Sequence, residues 1–442
     1  MHIGWAMVFD PVPGGGGPSL DELRAQTDQR LDLLPGFRRR LSSPRVGSFS
    51  LPTWEADPDY DIANHMRRAS LPAPGGEAEL LEWLGDFYSH RLDRARPLWE
   101  TTLLDGLADG RWALATKVHH CLVDGISGVS VTTVLLDSEP NPPPDSKGLV
   151  EALSPAAEDD EASRGTLSRL GRAVSSGVDT ALHPRKLGAL LSRSRGLAEM
   201  LIRDELIGAT HTSLNESIGA TRRFAAVDVP LDDLKQIKRS LGGTVNDVVL
   251  AVTAGGLRRL FERRGEISNV DTIRAMVPVS LREASEALGL GNRVSSLFVE
   301  LPIAEPDPLL RFRKTAAAAE ELKSGNQAAS AETLIDLAGA TPPVIQSVVA
   351  RLSFTPRLFN VTITNVPGPQ MTLYAMGARL RRVVPLVPIF SGHAIGVAVV
   401  SYDGGVTFGL NADRATVPDL DVLQRGIEES LAELQELSAR AA

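Results

Sequence analysis

The 442-residue chain has one cysteine, Cys121, so no internal disulfide can form. With an N-terminus that lacks the charged-then-apolar pattern of a signal peptide, this fits a reducing cytoplasm. Long apolar runs are also missing. The best candidate, Val383 to Val400, is broken by Pro385, Pro388 and His393 and falls short of the ~20 residues that span a bilayer. Membrane contact, where it occurs, is therefore expected to be peripheral. Positive charge is in the minority: 46 Lys and Arg stand against 55 Asp and Glu, for a net charge of -9, which argues against a general nucleic-acid binder. No Cys/His spacing suggests a zinc module, and no repeat of fixed period is visible. What is present is an ordinary hydrophobic content of 43% in a chain long enough for two domains, each with its own core.

The organisation follows from shifts in composition. Residues 1–137 carry the Pro, Gly and Trp punctuation of mixed α/β structure, with a helix expected over Glu77 to Ser89. Ser138 to Gly165 is rich in Pro, Ser, Asp and Glu, including Pro142-Pro143-Pro144 and Glu158-Asp159-Asp160-Glu161, and reads as an exposed linker. From Thr166 to Leu206 the balance turns basic, with Arg169, Arg172, Arg185, Lys186, Arg193, Arg195 and Arg203 among leucines at helical spacing. Two amphipathic helices broken at Pro184 fit this pattern, either packed across a domain junction with a solvated basic face or docked on an anionic lipid surface. The linker and these helices fill 138–220. A second domain is expected over 221–442. It opens on a strand through Phe224 to Val229 and a helix from about Leu231 that stops at Gly242-Gly243; Thr244 then caps the next helix, with Asp247 completing a capping-box arrangement. Strands follow around Ser295 to Leu301, Leu358 to Thr364, Ile395 to Tyr402 and Val406 to Leu410. Leu420, Leu423, Ile427, Leu431, Leu434 and Leu437 form one stripe on a closing helix.

Chemistry concentrates in Lys117-Val118-His119-His120-Cys121-Leu122-Val123-Asp124-Gly125. Trp112, Leu114, Thr116, Val118 and His120 fall on one parity and Ala113, Ala115, Lys117 and His119 on the other, the period of a strand. His120 is thereby aimed at an apolar interior, where a neutral imidazole can accept a proton, and Asp124-Gly125 turns the chain into a helix-like run, Ile126 to Leu136. His119 reads as structural or supporting. Asp124 has two readings, a carboxylate orienting the imidazole or one stapling the turn through a buried arginine. Gly125 suits a sharp strand-to-helix turn. Cys121 beside His120 invites a Cys-His nucleophile, but neighbouring strand residues point to opposite faces, so the thiol is expected to be a small buried apolar side chain. Asn246 either offers its amide to a developing oxyanion or braces the helix start with Thr244 and Asp247. Gly14 to Gly17 lacks the Lys-Ser/Thr of a phosphate loop and reads as a flexible turn.

Taken with Pro97-Leu98-Trp99-Glu100, Leu214-Asn215 before Arg222-Arg223, Asn246-Asp247-Val248-Val249-Leu250, Gly291-Asn292-Arg293 and Asn365-Val366-Pro367-Gly368-Pro369, the His-His-x-x-x-Asp-Gly run resembles the coenzyme A-dependent acyltransferase superfamily. Within it, order and spacing over nearly the whole chain resemble the bacterial wax ester synthase/diacylglycerol acyltransferase family. The resemblance implies a two-domain, chloramphenicol acetyltransferase-like α/β fold with its active site in a tunnel between the domains. It implies transfer of a long-chain acyl group from acyl-CoA, a substrate rather than a cofactor, to the hydroxyl of diacylglycerol, with a long-chain fatty alcohol as second acceptor. His120 is the implied general base. The same resemblance favours Asp124 as the turn staple, with Arg293 as its candidate partner, turns Asn246 toward the active site and leaves Asp247 as support; no metal is implied. Pro97 to Trp99 is expected to be a rigid turn with a buried indole, and Asn365 to Pro369 a strand and tight turn that shapes the acyl tunnel.

An acyl chain contributes roughly 0.8 kcal/mol per buried CH₂, so apolar walls should set chain-length preference. The implied location is cytoplasmic or peripheral at the inner membrane or a lipid-droplet surface. Two rivals stand beside this reading: a condensation-type amide- or ester-forming acyltransferase acting on carrier-bound substrates, and an acyl-lipid-binding protein without turnover. The family usually carries a short segment before Met-His-Ile-Gly, which makes Met1 a candidate trimmed or alternative start. Thr364 stands where a serine is common before Asn365.

Overall fold

Strand β1 (His2–Phe9) is apolar on both faces and buried along nearly its whole length, which is how a central strand covered on two sides must read. The computed structural model describes residues 2–42, 52–122, 135–143, 208–280, 294–324 and 358–441. In its N-terminal part β1 is followed by α1 (Leu20–Arg30), β2 (Arg39–Leu41), β3 (Trp54–Ala56), β4 (Met66–Ser70), α2 (Glu77–Ser89), β5 (Trp99–Asp105) and β6 (Trp112–His119). The C-terminal part holds β7 (Arg222–Pro230), α3 (Leu231–Leu241), α4 (Val245–Arg264), β8 (Ile273–Ser280), β9 (Val294–Leu301) and α5 (Pro308–Ser324). It continues with β10 (Val361–Pro367), β11 (Tyr374–Ala375), β12 (Ala378–Leu386), β13 (Ile395–Tyr402), β14 (Gly405–Asp413) and α6 (Leu420–Ala441).

Two six-stranded sheets result, ordered β11-β12-β1-β6-β5-β4 and β7-β14-β13-β10-β8-β9, with β2 and β3 as a separate pair. The first is antiparallel except where β4 runs parallel to β5. In the second, β10 lies parallel to both β8 and β13. The expected parity of β6 appears as two cores: Trp112, Leu114 and Val118 join Trp5, Met7 and Phe9 on one face, while Ala113 and Ala115 join Ala6, Val8 and α2 residues Leu80, Leu84, Phe87 and Tyr88 on the other. Gly4 lets α2 come this close. A Cβ there would lie 2.3 Å from the Thr116 carbonyl, the same oxygen that accepts the Tyr88 hydroxyl proton at 2.8 Å.

In the second sheet, α4 is buried along most of its length, and α6 crosses it where the chain is smallest. A Cβ on Gly426 would sit 2.9 Å from the Gly256 Cα. The expected stripe on α6 faces this core: Leu420, Leu423, Ile427, Leu431 and Leu434 are buried, with Leu437 packed at the margin.

Strands β11 and β12 leave the second half of the chain and pair with β1 in the first sheet, so a linear boundary at 221 does not divide the sheets. The exchange also joins them. Gly409 of β14 passes the Pro385 carbonyl of β12 at a point where a Cβ would be 1.9 Å away. Nearby, Asn411 Nδ2 donates to Val387 O at 2.9 Å, and the Arg222 N–H of β7 donates to Ser89 Oγ at the end of α2 at 2.8 Å. The apolar run Val383 to Val400 is thus the end of β12, a connection and most of β13, and no described helix is long and apolar enough to cross a membrane. The linker from residue 144 and the basic segment Thr166 to Leu206 lie outside the described residues.

Candidate active site

Strand β6 runs between β1 and β5 and ends at His119, which pairs with His2 in register and donates its backbone N–H to Leu98 O at 2.9 Å. The chain then turns, with Leu122 N–H donating to His119 O at 2.9 Å. His120 is the first residue of this turn and half-buried. This corrects the strand-parity expectation: alternation fixes Trp112, Leu114 and Val118, but the ladder stops one residue before His120 and so does not set its direction.

Cys121 also departs from expectation. It is exposed, and its thiol meets the other imidazole, 3.0 Å from His119 Nδ1. The Cys121 backbone N–H donates to the same nitrogen at 3.2 Å. Strand alternation does not apply across a turn, which is why the two residues on either side of His120 can touch. Burial, aided by positive charges that include Arg94, lowers the His119 pKa to about 4, so the ring is neutral at pH 7. A neutral imidazole that accepts at Nδ1 carries its proton on Nε2. His119 therefore offers a donor, and its lone pair is occupied.

Lys117, two residues earlier, is fully buried. Its Nζ donates to the carbonyls of Phe87 at 2.9 Å and His90 at 3.0 Å, lies 3.6 Å from the Glu100 carboxylate and sits 4.3 Å from the centre of the Phe87 ring. Phe87 and His90 belong to the C-terminal end of α2, where carbonyls lack intrahelical partners and the dipole favours a cation. Burial lowers the Lys117 pKa against the opposing pull of Glu100. Sequence reasoning passes over this residue as one letter of the motif. The signal available is a lysine at an inward position of an otherwise apolar strand.

The Pro97-Leu98-Trp99 run braces the same strand end. Trp99 is 4% exposed, donates from Nε1 to Phe37 O at 2.8 Å and stacks on His65 at 4.7 Å. His65 Nδ1 donates to Trp99 O at 2.9 Å.

A second cluster sits at the N-terminus of α4. Thr244 caps the helix by accepting from Asp247 N–H at 3.2 Å, and the Asp247 carboxylate accepts from Thr244 N–H and Oγ1–H, both at 2.8 Å. Capping thus falls to Thr244 and Asp247, and Asn246 is left for something else. Its Oδ1 accepts from Asn365 Nδ2 of β10 at 3.4 Å, so its NH₂ is turned away from β10 at the positive end of the α4 dipole. Two runs singled out separately in the sequence therefore meet.

The Leu214-Asn215 pair is structural. Asn215 Oδ1 accepts from Thr212 N–H at 3.2 Å, Thr212 Oγ1–H at 3.0 Å and Asn360 Nδ2 at 2.7 Å, and its Nδ2 donates to Gly392 O at 3.1 Å. Asn360 in turn accepts from Arg274 N–H at 2.8 Å and donates to Thr210 O at 2.7 Å. Arg222 lies 3.4 Å from the buried carboxylate of Asp413. Asp124, Gly125 and Arg293 lie outside the described residues, as does most of the run Ile126 to Leu136. Among the described residues, no group of three His, Cys, Asp or Glu could hold a metal ion.

Residues 1–249 match the wax ester synthase/diacylglycerol acyltransferase catalytic domain, and residues 290–435 match the WS/DGAT C-terminal domain. The probable diacylglycerol O-acyltransferase tgs1 of Mycobacterium tuberculosis is 34% identical over 99% of this chain and 93% of its own length. The chain belongs to the wax ester synthase/diacylglycerol acyltransferase family. Like the other members of this family it is an acyltransferase. The probable diacylglycerol O-acyltransferase tgs2 of the same organism is 33% identical over 99% of this chain and 95% of its own length. Among solved structures, the wax ester synthase/diacylglycerol acyltransferase from Marinobacter aquaeolei VT8 superposes with a TM-score of 0.70 at 28% identity, covering 99% of this chain and 95% of that one. The starter condensation domain of rhizomide synthetase shares the fold with a TM-score of 0.58 at 15% identity, over 99% of this chain and 89% of that one. The expected two-domain α/β acyltransferase fold is therefore the observed one.

Proposed function

We propose that the enzyme transfers a long-chain acyl group from acyl-CoA to the hydroxyl of diacylglycerol, with a long-chain alcohol as second acceptor, and that His120 is the general base. Family membership and the names of its relatives support the substrates. The choice of base rests on the family resemblance of the His-His-x-x-x-Asp-Gly run, which assigns that role to its second histidine, His120; His119, whose Nδ1 accepts from the Cys121 backbone, is left in support. In the reaction His120 takes the proton of the acceptor hydroxyl as its oxygen attacks the thioester carbonyl. The tetrahedral intermediate then collapses, the C–S bond breaks, and the proton passes to the departing CoA thiolate. No acyl-enzyme forms. The Asn246 NH₂ is assigned to the developing oxyanion, with Asn365 fixing the orientation of its amide. Asp124 and Gly125 are assigned to the turn that carries His120, with Arg293 as partner of Asp124. Peripheral docking on a lipid surface is assigned to the basic segment Thr166 to Leu206.

The test uses purified full-length protein, labelled palmitoyl-CoA and, in separate reactions, diacylglycerol, hexadecanol or a primary amine. The expected product is triacylglycerol, with wax ester second and no amide. His120→Ala should lower turnover by ~10²–10⁴-fold with little change in acyl-CoA affinity. A variant that keeps most of its turnover would remove His120 from the role, and amide as the main product would favour the condensation-type reading.

A further inference from the structure

An enzyme of net charge -9 that takes coenzyme A must hold a polyanion, three phosphates in all, against its own overall field. A local excess of positive charge is therefore expected where the phosphates lie, a pantetheine arm away from the reacting thioester. Beside the end of β6 the described structure has one. The loop His90-Arg91-Leu92-Asp93-Arg94-Ala95-Arg96 follows α2, and its root is tied to the histidine strand twice: Lys117 Nζ donates to His90 O at 3.0 Å, and Leu92 N–H points to His2 Nε2 at 3.5 Å. His2 is the register partner of His119. Arg91 and Arg94 are exposed and Arg96 is half-buried. A cavity of about 220 Å³ opens next to them, lined by His65, Arg67, Asp93, Arg96, Trp99 and Glu100 among others.

The two carboxylates of this cavity are already engaged. Asp93 lies 3.6 Å from Arg96 and Glu100 3.6 Å from Lys117. Arg67, Arg91 and Arg94 have no carboxylate partner among the described residues, whereas elsewhere arginines such as Arg30, Arg264, Arg274 and Arg382 are ion-paired. The charges also reach the site: Arg94 is among the causes that lower the His119 pKa, after burial, and Arg91 is a lesser one for His2. A loop held rigid at its base, presenting unpaired guanidinium groups at the rim of a strand that ends in the reactive pair, is suited to phosphate oxygens, which a guanidinium binds through paired N–H donors.

We propose that Arg91 and Arg94, with Arg67 on the adjoining cavity, form the subsite for the phosphates of coenzyme A, so that the nucleotide end of the donor enters past the 90–96 loop. This rests on the acyl-CoA reading above and adds to it the place where the donor is held. Anionic lipid headgroups offer the same phosphate chemistry, and the experiment separates the two.

Palmitoyl-CoA binding by the full-length protein is measured directly by titration calorimetry, and turnover is measured with palmitoyl-CoA and with palmitoyl-pantetheine, which carries the thioester without phosphates. For Arg91→Gln/Arg94→Gln we expect palmitoyl-CoA affinity to fall by about tenfold, the scale of two partly exposed charge contacts, with KM rising in parallel and kcat held. Palmitoyl-pantetheine should show a wild-type KM in the same variant. Arg263→Gln/Arg313→Gln, which removes two exposed arginines on α4 and α5, is the control for net charge and should leave both donors unchanged. An equal loss for both donors, or none for either, would overturn the subsite. Sedimentation with phosphatidylglycerol vesicles is the second arm: loss of vesicle binding with palmitoyl-CoA affinity intact would assign the arginines to a lipid surface and also overturn it. Tight, arginine-dependent palmitoyl-CoA binding without acyl transfer to any acceptor would keep the subsite and refute the catalytic reading.

Discussion

Two polar centres of this protein are built on opposite terms. Around Asn215 and Asn360 the polar groups are buried and find their partners within the fold: Asn215 alone accepts three hydrogen bonds and donates to Gly392 O, and Asn360 ties Thr210 to Arg274. At the end of β6 the supporting groups are engaged in the same way. Lys117 is held by two carbonyls and His119 by the Cys121 backbone, while His120 stands in a half-buried turn and Cys121 is exposed. A polar group saturated by its own chain and shut off from its surroundings can only hold that chain together. One that keeps an accessible face beside saturated neighbours is positioned and can still be reached, which is what catalysis needs. By this measure Asn215 is a brace, although its sequence run looks as diagnostic as the histidines do.

The comparison can be broken by exchanging the expected effects. The largest concerns turnover: His120→Ala, with its ~10²–10⁴-fold loss, should leave the denaturation midpoint close to wild type. Asn360→Ala should do the reverse, lowering unfolding free energy by about 2–4 kcal/mol because it removes the acceptor of the part-buried Arg274 N–H and a partner of Asn215, measured by urea denaturation. A wild-type midpoint for Asn360→Ala would sink the bracing role.

Next comes pH. His393 is fully buried, its ring stacked 3.9 Å from Phe359, and burial lowers its pKa from 6.5 to about 4. The unfolded chain binds the proton first, so stability falls as pH drops from 6.5 towards 4, by up to about 3 kcal/mol from this group alone. His393→Phe should flatten that part of the stability curve. An unchanged slope would mean that other groups govern acid unfolding.

The smallest effect sharpens the picture at the site itself. Cys121→Ser replaces the thiol that lies 3.0 Å from His119 Nδ1 but keeps the backbone N–H that donates to the same atom. Turnover should change by no more than about fivefold, the value of one weak hydrogen bond. A loss as large as that of His120→Ala would restore Cys121 to a direct role.

Much of this architecture is legible in the order of the residues. The helix over Glu77–Ser89 is readable to the residue, and α3 ends at Leu241, where Gly242 takes a positive φ of 88°. The Thr244/Asp247 cap and the stripe of α6 are readable from spacing alone. Other features are not. The exchange of β11 and β12 into the first sheet depends on Gly409 admitting the Pro385 carbonyl, a contact that no local pattern announces. Strand parity extends one residue too far at His120, because the chain has already left the strand there: His119 pairs with His2, and the Leu122 N–H closes a turn onto the His119 carbonyl.

By itself the sequence determined the periods, the caps and the His-His-x-x-x-Asp-Gly run that carries the superfamily resemblance, since each of these is set by residues a few positions apart. Tertiary structure alone decided that Asn246 meets Asn365, 119 residues away, and that Lys117 anchors the end of α2, 30 residues before it. It also decided that His119 gives its lone pair to Cys121 across the turn. The reason is physical: a polar side chain has several possible partners in the sequence, and only the packing of the sheets and helices around it brings one of them within 3 Å or so.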